Sequence, residues 1–149
     1  DISHKHEDEK TALHCAVEER KEEAVKTLLQ YPQIDINHKL VEKIVTFAKD
    51  VESNIIDETT SLLVSITNND LNIFKLLMSH PDINVKINQT GKAILNKTDI
   101  ITNKSALHIA CENNNIEIAK FLLNNSKIDV NEKLYSQFTD VTNIGSGLK

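Results

Sequence analysis

Histidine and cysteine are the residue types of this sequence that could bind a metal ion or act as catalytic groups. His4, His6 and Cys15 lie near one another in the chain, and zinc prefers imidazole and thiolate ligands. A structural zinc site needs four ligands, and a His-x-His pair followed by a single cysteine matches no zinc finger. The sequence therefore predicts no metal site.

His14 and His108 are candidates for a general base, because imidazole changes its charge near neutral pH. Each stands fourth in a repeated motif, T-A-L-H beginning at Thr11 and S-A-L-H beginning at Ser105. Because the two histidines recur with the motif and do not converge on one site, we interpret them as structural groups in the first turn of a helix. No Ser/His/Asp or Cys/His pairing recurs, so we predict that the chain is not an enzyme.

The segment Thr90-Gly91-Lys92 has the residue types that end a phosphate-binding loop. The first glycine of that motif would fall at position 86, which is occupied by Lys86. The loop therefore lacks the glycine that allows its backbone to surround a phosphate. The sequence predicts no bound nucleotide and no other cofactor.

The composition is typical of one helical domain. The 149 residues are 40% hydrophobic and only 4% aromatic, with three glycines and two prolines. So few turn-forming residues disfavour a sandwich of tight hairpins, and the predicted fold class is all-α. No apolar run approaches the ~20 residues that span a bilayer, so membrane insertion is not predicted.

Charge and cysteine content narrow the partners and the location. The formal net charge is −5, and Arg20 is the only arginine among 17 basic residues, which argues against a nucleic-acid partner. Cys15 and Cys111 lie far apart in sequence, and a chain with this much apolar content needs no disulfide. We therefore expect a reducing compartment, the cytoplasm.

The sequence contains three copies of one repeated segment. The segment beginning at Thr11 recurs at Ser105 without a gap as far as an Asp-Ile-Asn or Asp-Val-Asn ending, and a weaker copy begins at Thr60. In each copy the apolar residues have the spacing of two short helices. In the first copy, Leu13, Ala16 and Val17 share one helical face, and a Leu28-Leu29 pair marks the second helix. The apolar side of such a unit is too large to bury alone, so we expect the three units to stack.

Four individual residues have predicted roles in these helices. Thr11 is placed to cap a first helix, and Asp70 and Asn115 are placed to cap second helices. Cys111 occupies the apolar position of Val17, which predicts that it is a small buried residue.

These motifs resemble the ankyrin repeat, in which a hairpin turn precedes T-P-L-H-x-A and two antiparallel helices over about 33 residues. The proline that follows the Leu pair, Pro32 and Pro81, is similar to the form found in protozoan ankyrin proteins. The resemblance implies one domain over 1–149, a solenoid of helix-turn-helix units with hairpin fingers. Its repeats would span about 5–38, 54–87 and 99–132, separated by insertions at about 39–53 and 88–98 and followed by a tail, 133–149.

The departures from the repeat lead to separate predictions. The apolar residues of 39–53 have helical spacing, which predicts an extra amphipathic helix. Residues 88–98 contain Gly91 and alternate poorly, which predicts a loop or an extended hairpin. Arg20, Asn69 and Asn114 replace the turn glycine of the family, and a left-handed Arg20 would be strained by ~1 kcal/mol unless the turn differs.

The resemblance implies a concave surface that binds other proteins through the fingers and the first helices. An acidic and amide-rich surface would favour a partner with a basic surface, and we expect the chain to be a monomeric scaffold or adaptor. The alternative is a targeting or substrate-recognition segment of a larger enzyme or membrane protein. The candidate finger residues are Glu7, Asp8, Asp57, Glu58, Thr102 and Asn103, and the candidate inner-helix residues are Glu19, Asn68 and Asn113.

Overall fold

The computed structural model describes residues 2–8, 10–48, 51–95 and 98–140. Pairs of short helices alternate there with strands. The helices are α1 (Ala12–Glu18), α2 (Glu22–Leu29), α3 (Ser61–Thr67), α4 (Leu71–Met78), α5 (Ala106–Glu112) and α6 (Ile116–Leu123). The strands are β1 (Ile2–Asp8), β2 (Leu40–Ala48), β3 (Val51–Thr59), β4 (Gln89–Leu95), β5 (Thr98–Lys104) and β6 (Tyr135–Asp140).

Hydroxyl side chains begin the first helix of every repeat, as predicted for Thr11. Thr11, Thr60 and Ser105 each accept a hydrogen bond from the backbone N–H three residues later. Asp70 caps α4 in the same way, as predicted. Asn115 is the N-cap residue of α6, as predicted, but its side chain makes no cap hydrogen bond; its Nδ2 donates instead to the carbonyl of Ile66 in the preceding repeat.

The turn between the two helices is left-handed in all three repeats. Arg20, Asn69 and Asn114 have φ angles of 56°, 51° and 55°. Asparagine tolerates this region, whereas arginine is strained there. The Arg20 guanidinium donates a hydrogen bond to the carbonyl of Asn68 at 2.7 Å, so the strained turn is tied to the second repeat.

The core lies between the stacked helix pairs. Helix α3 packs against α1 on one side and α5 on the other, and α4 packs against α2 and α6. The second repeat is therefore covered from both sides, and Leu63, Ile66, Phe74 and Leu77 are fully buried. The predicted solenoid of helix-turn-helix units is confirmed.

The all-α class is corrected, because the fingers of the three repeats join into one antiparallel sheet. Its strand order is β1-β2-β3-β4-β5-β6, so each strand that leaves a repeat pairs with the strand that enters the next. The strands extend well beyond a hairpin turn, since β2 pairs with β3 from Leu40↔Thr59 to Ala48↔Val51. The inserted residues therefore lengthen the fingers.

The predicted helix at 39–53 is wrong, because this segment forms β2 and the start of β3. Its valines and isoleucines favour strands, and strand partners lie on both sides. For 88–98 the extended hairpin is confirmed, as β4 and β5. The predicted burial of Cys111 is also wrong, since its side chain is exposed. The tail beyond residue 140 lies outside the described residues.

Candidate functional site

Neighbouring finger residues lie on opposite faces of the sheet, because side chains alternate along a strand. Asp57 pairs with Gly91, which in turn pairs with Thr102. Asp57 and Thr102 therefore share one face. Glu58 and Asn103, the next residues along β3 and β5, lie on the other face. The structure thus divides the predicted finger residues into two groups.

An ion pair shows which face continues onto the first helices. Lys104 lies two residues after Thr102 in β5, so the two side chains are on the same face. Its Nζ lies 2.8 Å from Glu112 Oε2 at the end of α5. The equivalent pair, Lys10 and Glu18, joins the base of the first finger to the end of α1. We call the sheet face that bears Asp57 and Thr102 the inner face, because it adjoins the first helices.

The inner face carries two parallel rows that cross four strands. One row is polar and the next row is apolar, about 7 Å further along the strands, which is the spacing of two residues. The polar row contains Glu42, Asp57, Gly91 and Thr102. The apolar row contains Ile44, Ile55, Ala93 and Ile100. Ile55 is exposed and the other three are half-buried, so both rows are accessible to a partner.

Gly91 keeps the polar row open. A Cβ atom at this position would lie 2.8 Å from Thr102 Oγ1 and 3.1 Å from Asp57 Oδ1, and the first distance is too short for any side chain. Thr102 and Asp57 therefore approach each other across the glycine backbone. The structure places these two predicted residues on one face of the sheet, one on each side of Gly91.

The outer face holds Glu58 and Asn103 in other surroundings, whereas Glu7 of β1 is in register with Glu42 of the polar row. Glu58 Oε2 lies 4.0 Å from Lys39 Nζ. The Oδ1 atom of Asn103 is buried without a hydrogen-bond partner. For β1, the backbone of Glu7 pairs with Glu42 and that of Asp8 with Val41.

The three predicted inner-helix residues occupy equivalent places. Glu19, Asn68 and Asn113 are the C-cap residues of α1, α3 and α5. They lie at the helix ends remote from the fingers, about 10 Å from the N-caps for helices of this length. They therefore form a second group, separate from the pair formed by Asp57 and Thr102.

Two acidic residues adjoin the predicted C-cap residues and were not among the predicted site residues. Glu18 and Glu112 end the first helices beside the predicted C-cap residues, and both form ion pairs with a lysine of the finger base. The sequence does contain their signal, because a lysine precedes a glutamate by the same spacing in the first and third repeats.

The histidines of the repeated motif make local hydrogen bonds. His14 Nδ1 lies 2.7 Å from Thr11 Oγ1, and His108 Nδ1 lies 2.7 Å from Ser105 Oγ. Burial lowers the pKa of His14, and the nearby His38 acts in the same direction. These contacts support the structural interpretation of both histidines.

Three further features of the described ranges concern metal ions, membrane-spanning helices and a surface groove. No group of three or more His, Cys, Asp or Glu side chains there could hold a metal ion. None of the described helices has the length and hydropathy needed to cross a membrane. A groove of about 390 Å³ lies between the second and third repeats, and its lining includes Lys86, Lys127, Asp129 and Glu132. Its charges are mixed.

Comparison with known families decides the classification. A family model described as "Ankyrin repeats (3 copies)" matches residues 36–134, and one described as "Ankyrin repeat" matches residues 8–39. The chain belongs to the ankyrin repeat family. Ankyrin repeats are generally protein–protein interaction modules and are typically non-catalytic. No curated protein and no solved structure matched the chain.

Proposed function

We propose that this ankyrin domain is a non-catalytic scaffold or adaptor that binds a basic segment of another protein on its inner face. The observation that carries the proposal is the pair of adjacent rows, one polar and one apolar, that cross the fingers. The domain would act as one unit with the repeat boundaries expected from the sequence.

The charges of the inner face favour a basic partner. Glu42 and Asp57 place two carboxylates side by side in the polar row. A cationic side chain of the partner would be attracted to the polar row, and charge complementarity mainly sets specificity and association rate.

The apolar row adds a second requirement. Ile55 is exposed beside the polar row, and burying apolar area contributes about 25 cal/mol per Å². A partner segment in which basic and apolar side chains alternate would contact both rows. The proposed ligand is therefore a basic amphipathic segment, and not simply a cationic one.

A selection from random peptides tests this proposal. Peptides that bind the chain should be enriched in Lys, Arg and apolar residues. Asp57→Lys should weaken their binding at least tenfold, or ~1.4 kcal/mol, as measured by fluorescence anisotropy. Glu58→Lys is the matched control, because it makes the same charge change one residue away on the outer face.

Two results would contradict the proposal. One is a selection that yields no basic preference, and the other is an equal loss of binding in Asp57→Lys and Glu58→Lys. Circular dichroism of both variants shows whether the fold is retained. Since both positions are partly exposed, we expect no loss of structure.

The alternative function, a targeting or recognition segment of a larger enzyme or membrane protein, would use the same inner face. The peptide experiment therefore tests the surface in either context. We also propose a cytoplasmic location, supported by the two free cysteines.

A further inference from the structure

An asparagine side chain links the first two repeats through the loops that follow their helix pairs. Asn37 Nδ2 donates a hydrogen bond to the carbonyl of Asp82 at 2.8 Å. The backbone N–H of Asn84 donates to Asn37 Oδ1, also at 2.8 Å. One carboxamide therefore binds a backbone acceptor and a backbone donor of the following repeat. We call this arrangement the asparagine link.

The loop of the third repeat presents the same two backbone groups as the loop of the second. In both loops a side-chain Oδ1 atom accepts from the backbone N–H two residues later, at Asn84 and at Asp129. The carbonyls of the same two residues accept from the N–H three residues later. Asp129 therefore corresponds to Asn84, and Lys127 corresponds to Asp82. The N–H of Asp129 and the carbonyl of Lys127 are the groups that an asparagine link would bind here.

A lysine occupies the position from which that link would come. Lys86 stands in the second repeat where Asn37 stands in the first. An ammonium group donates hydrogen bonds and accepts none, so the Lys86 side chain cannot receive the N–H of Asp129. Lys86 is also exposed, whereas Asn37 is half-buried. The junction of the second and third repeats therefore lacks the asparagine link.

The groove of about 390 Å³ between the second and third repeats lies at this junction. Lys86 lines it from the second repeat, and Lys127 and Asp129 line it from the third. Val85 and Ile128 add apolar surface to the lining. Sites for small ligands have volumes of about 300–1,000 Å³. The groove thus accommodates a side chain together with part of the segment that carries it.

The walls of the groove belong to repeats that are packed together. Helix α3 packs against α5, and α4 packs against α6. Beside the groove, Asn88 Nδ2 donates to Glu132 Oε1 at 3.3 Å, which joins the two loops. A ligand would therefore enter a preformed site, and a preformed site lowers the entropic cost of binding.

The charges of the lining favour a neutral polar ligand over an ion. Lys86 and Lys127 contribute two cations, and Asp129 and Glu132 contribute two carboxylates. A carboxylate ligand would be repelled by the acidic side chains, and an ammonium ligand by the lysines. A carboxamide has no net charge and offers both an acceptor oxygen and a donor nitrogen. It can therefore bind the N–H of Asp129 and the carbonyl of Lys127 at the same time.

We propose that this groove binds the side-chain carboxamide of an asparagine in a partner protein. The oxygen of that side chain accepts from the N–H of Asp129, and its nitrogen donates to the carbonyl of Lys127. The partner thus supplies at the second junction the link that Asn37 makes at the first. None of the inner-face residues lines the groove, so this site is additional to the one proposed for a basic segment.

Nuclear magnetic resonance with a capped amino acid tests the proposal. The probe N-acetyl-L-asparagine N′-methylamide carries the carboxamide in a peptide-like setting without terminal charges. It should move the backbone amide proton of Asp129 downfield, and the shift should saturate with a dissociation constant of about 1–10 mM, as suits so small a ligand. The corresponding aspartate probe replaces the carboxamide by a carboxylate and should bind at least tenfold more weakly, or ~1.4 kcal/mol.

Two substitutions at one exposed position show whether the probe occupies the place of the link. Lys86→Asn supplies the carboxamide from the chain itself, so it should abolish the shift at Asp129 and raise the urea midpoint of unfolding. Lys86→Ala removes the same ammonium group without supplying a carboxamide and should retain binding. Asp57→Lys, the variant that tests the inner face, should also retain binding, so the two proposals can fail separately.

Four results would overturn the proposal. The first is no shift at Asp129 with about 100 mM probe, well above the expected dissociation constant. The second is equal binding of the asparagine and aspartate probes, and the third is binding that persists in Lys86→Asn. The fourth is binding of free L-asparagine without binding of the capped probe, which would assign the groove to an amino acid and not to a partner's side chain.

Discussion

The second and third repeats have the same apolar pattern, but they bury it to very different extents. Ile66 is fully buried, whereas Cys111 at the equivalent position is exposed. Val85 is 3% exposed and its equivalent, Val130, is 63% exposed. The second repeat has a neighbour on each side, and the third is covered on one side within the described structure.

This difference shows that the burial of a side chain in a stacked array depends on the position of its repeat in the stack. Stability in such arrays is approximately a sum of the repeats and of their nearest-neighbour interfaces. The same substitution should therefore be costly in the second repeat and nearly neutral on the exposed side of the third. Two pairs of truncations test this: the first compares a buried leucine with a half-exposed one, and the second compares two equivalent valines.

The largest effect is expected for Leu77→Ala in the second repeat. Leu77 is fully buried in α4, and removal of a buried leucine side chain costs about 2–5 kcal/mol through lost burial and a residual cavity. Urea titration of dilute protein measures this loss. Leu123→Ala, which truncates a leucine that is half exposed in α6, should cost less than about 1 kcal/mol. A loss of unfolding free energy below about 1 kcal/mol in Leu77→Ala would contradict the full burial of this side chain between neighbouring repeats.

A smaller difference is expected for the same truncation at two equivalent valines. Val85→Ala removes two buried methyl groups and should cost about 2 kcal/mol. Val130→Ala removes them from an exposed position and should change the free energy of unfolding by at most about 0.5 kcal/mol. Both values come from urea titrations under the same conditions. Equal losses of unfolding free energy at the two positions would contradict the difference in burial between the second and third repeats.

The sequence was sufficient for the helix pairs because their determinants are local. The hydroxyl caps at Thr11, Thr60 and Ser105 depend on residues within a few positions. The apolar spacing of each helix follows from its own face. These features recur three times, so each copy supports the assignment of the others.

The fingers were harder to predict because their structure depends on pairing between distant segments. In 39–53, Val41, Ile44 and Val45 fit both helical spacing and a strand, and the choice is made by pairing with β1 and β3. Without that register, the sequence cannot show that Asp57 and Thr102 share one face of the sheet. Burial of Cys111 was misjudged for the related reason that its cover would come from another repeat.

The smallest expected effect compares the two motif histidines by their response to acid. His14 is fully buried, whereas His108 is half-buried at the open end. The pKa of His14 is lowered from 6.5 mainly by burial and then by the positive charge of His38; Lys10 adds to this effect and Glu18 opposes it. The unfolded chain therefore binds a proton at this site more readily than the folded chain does.

The sign of the pH dependence follows from linkage. The contribution of His14 to stability is fully present above about pH 6.5, the pKa of an unperturbed histidine, and is lost as the pH falls from there towards the lowered folded pKa. Urea titrations at pH 7.5 and at pH 5 should show lower stability in acid, and His14→Gln should reduce that difference. His108→Gln makes the same substitution in the third repeat and controls for loss of the motif hydrogen bond to the N-cap hydroxyl. If His14→Gln retains the full acid sensitivity, the response arises elsewhere in the chain, and the two histidines do not differ in the way their burial indicates.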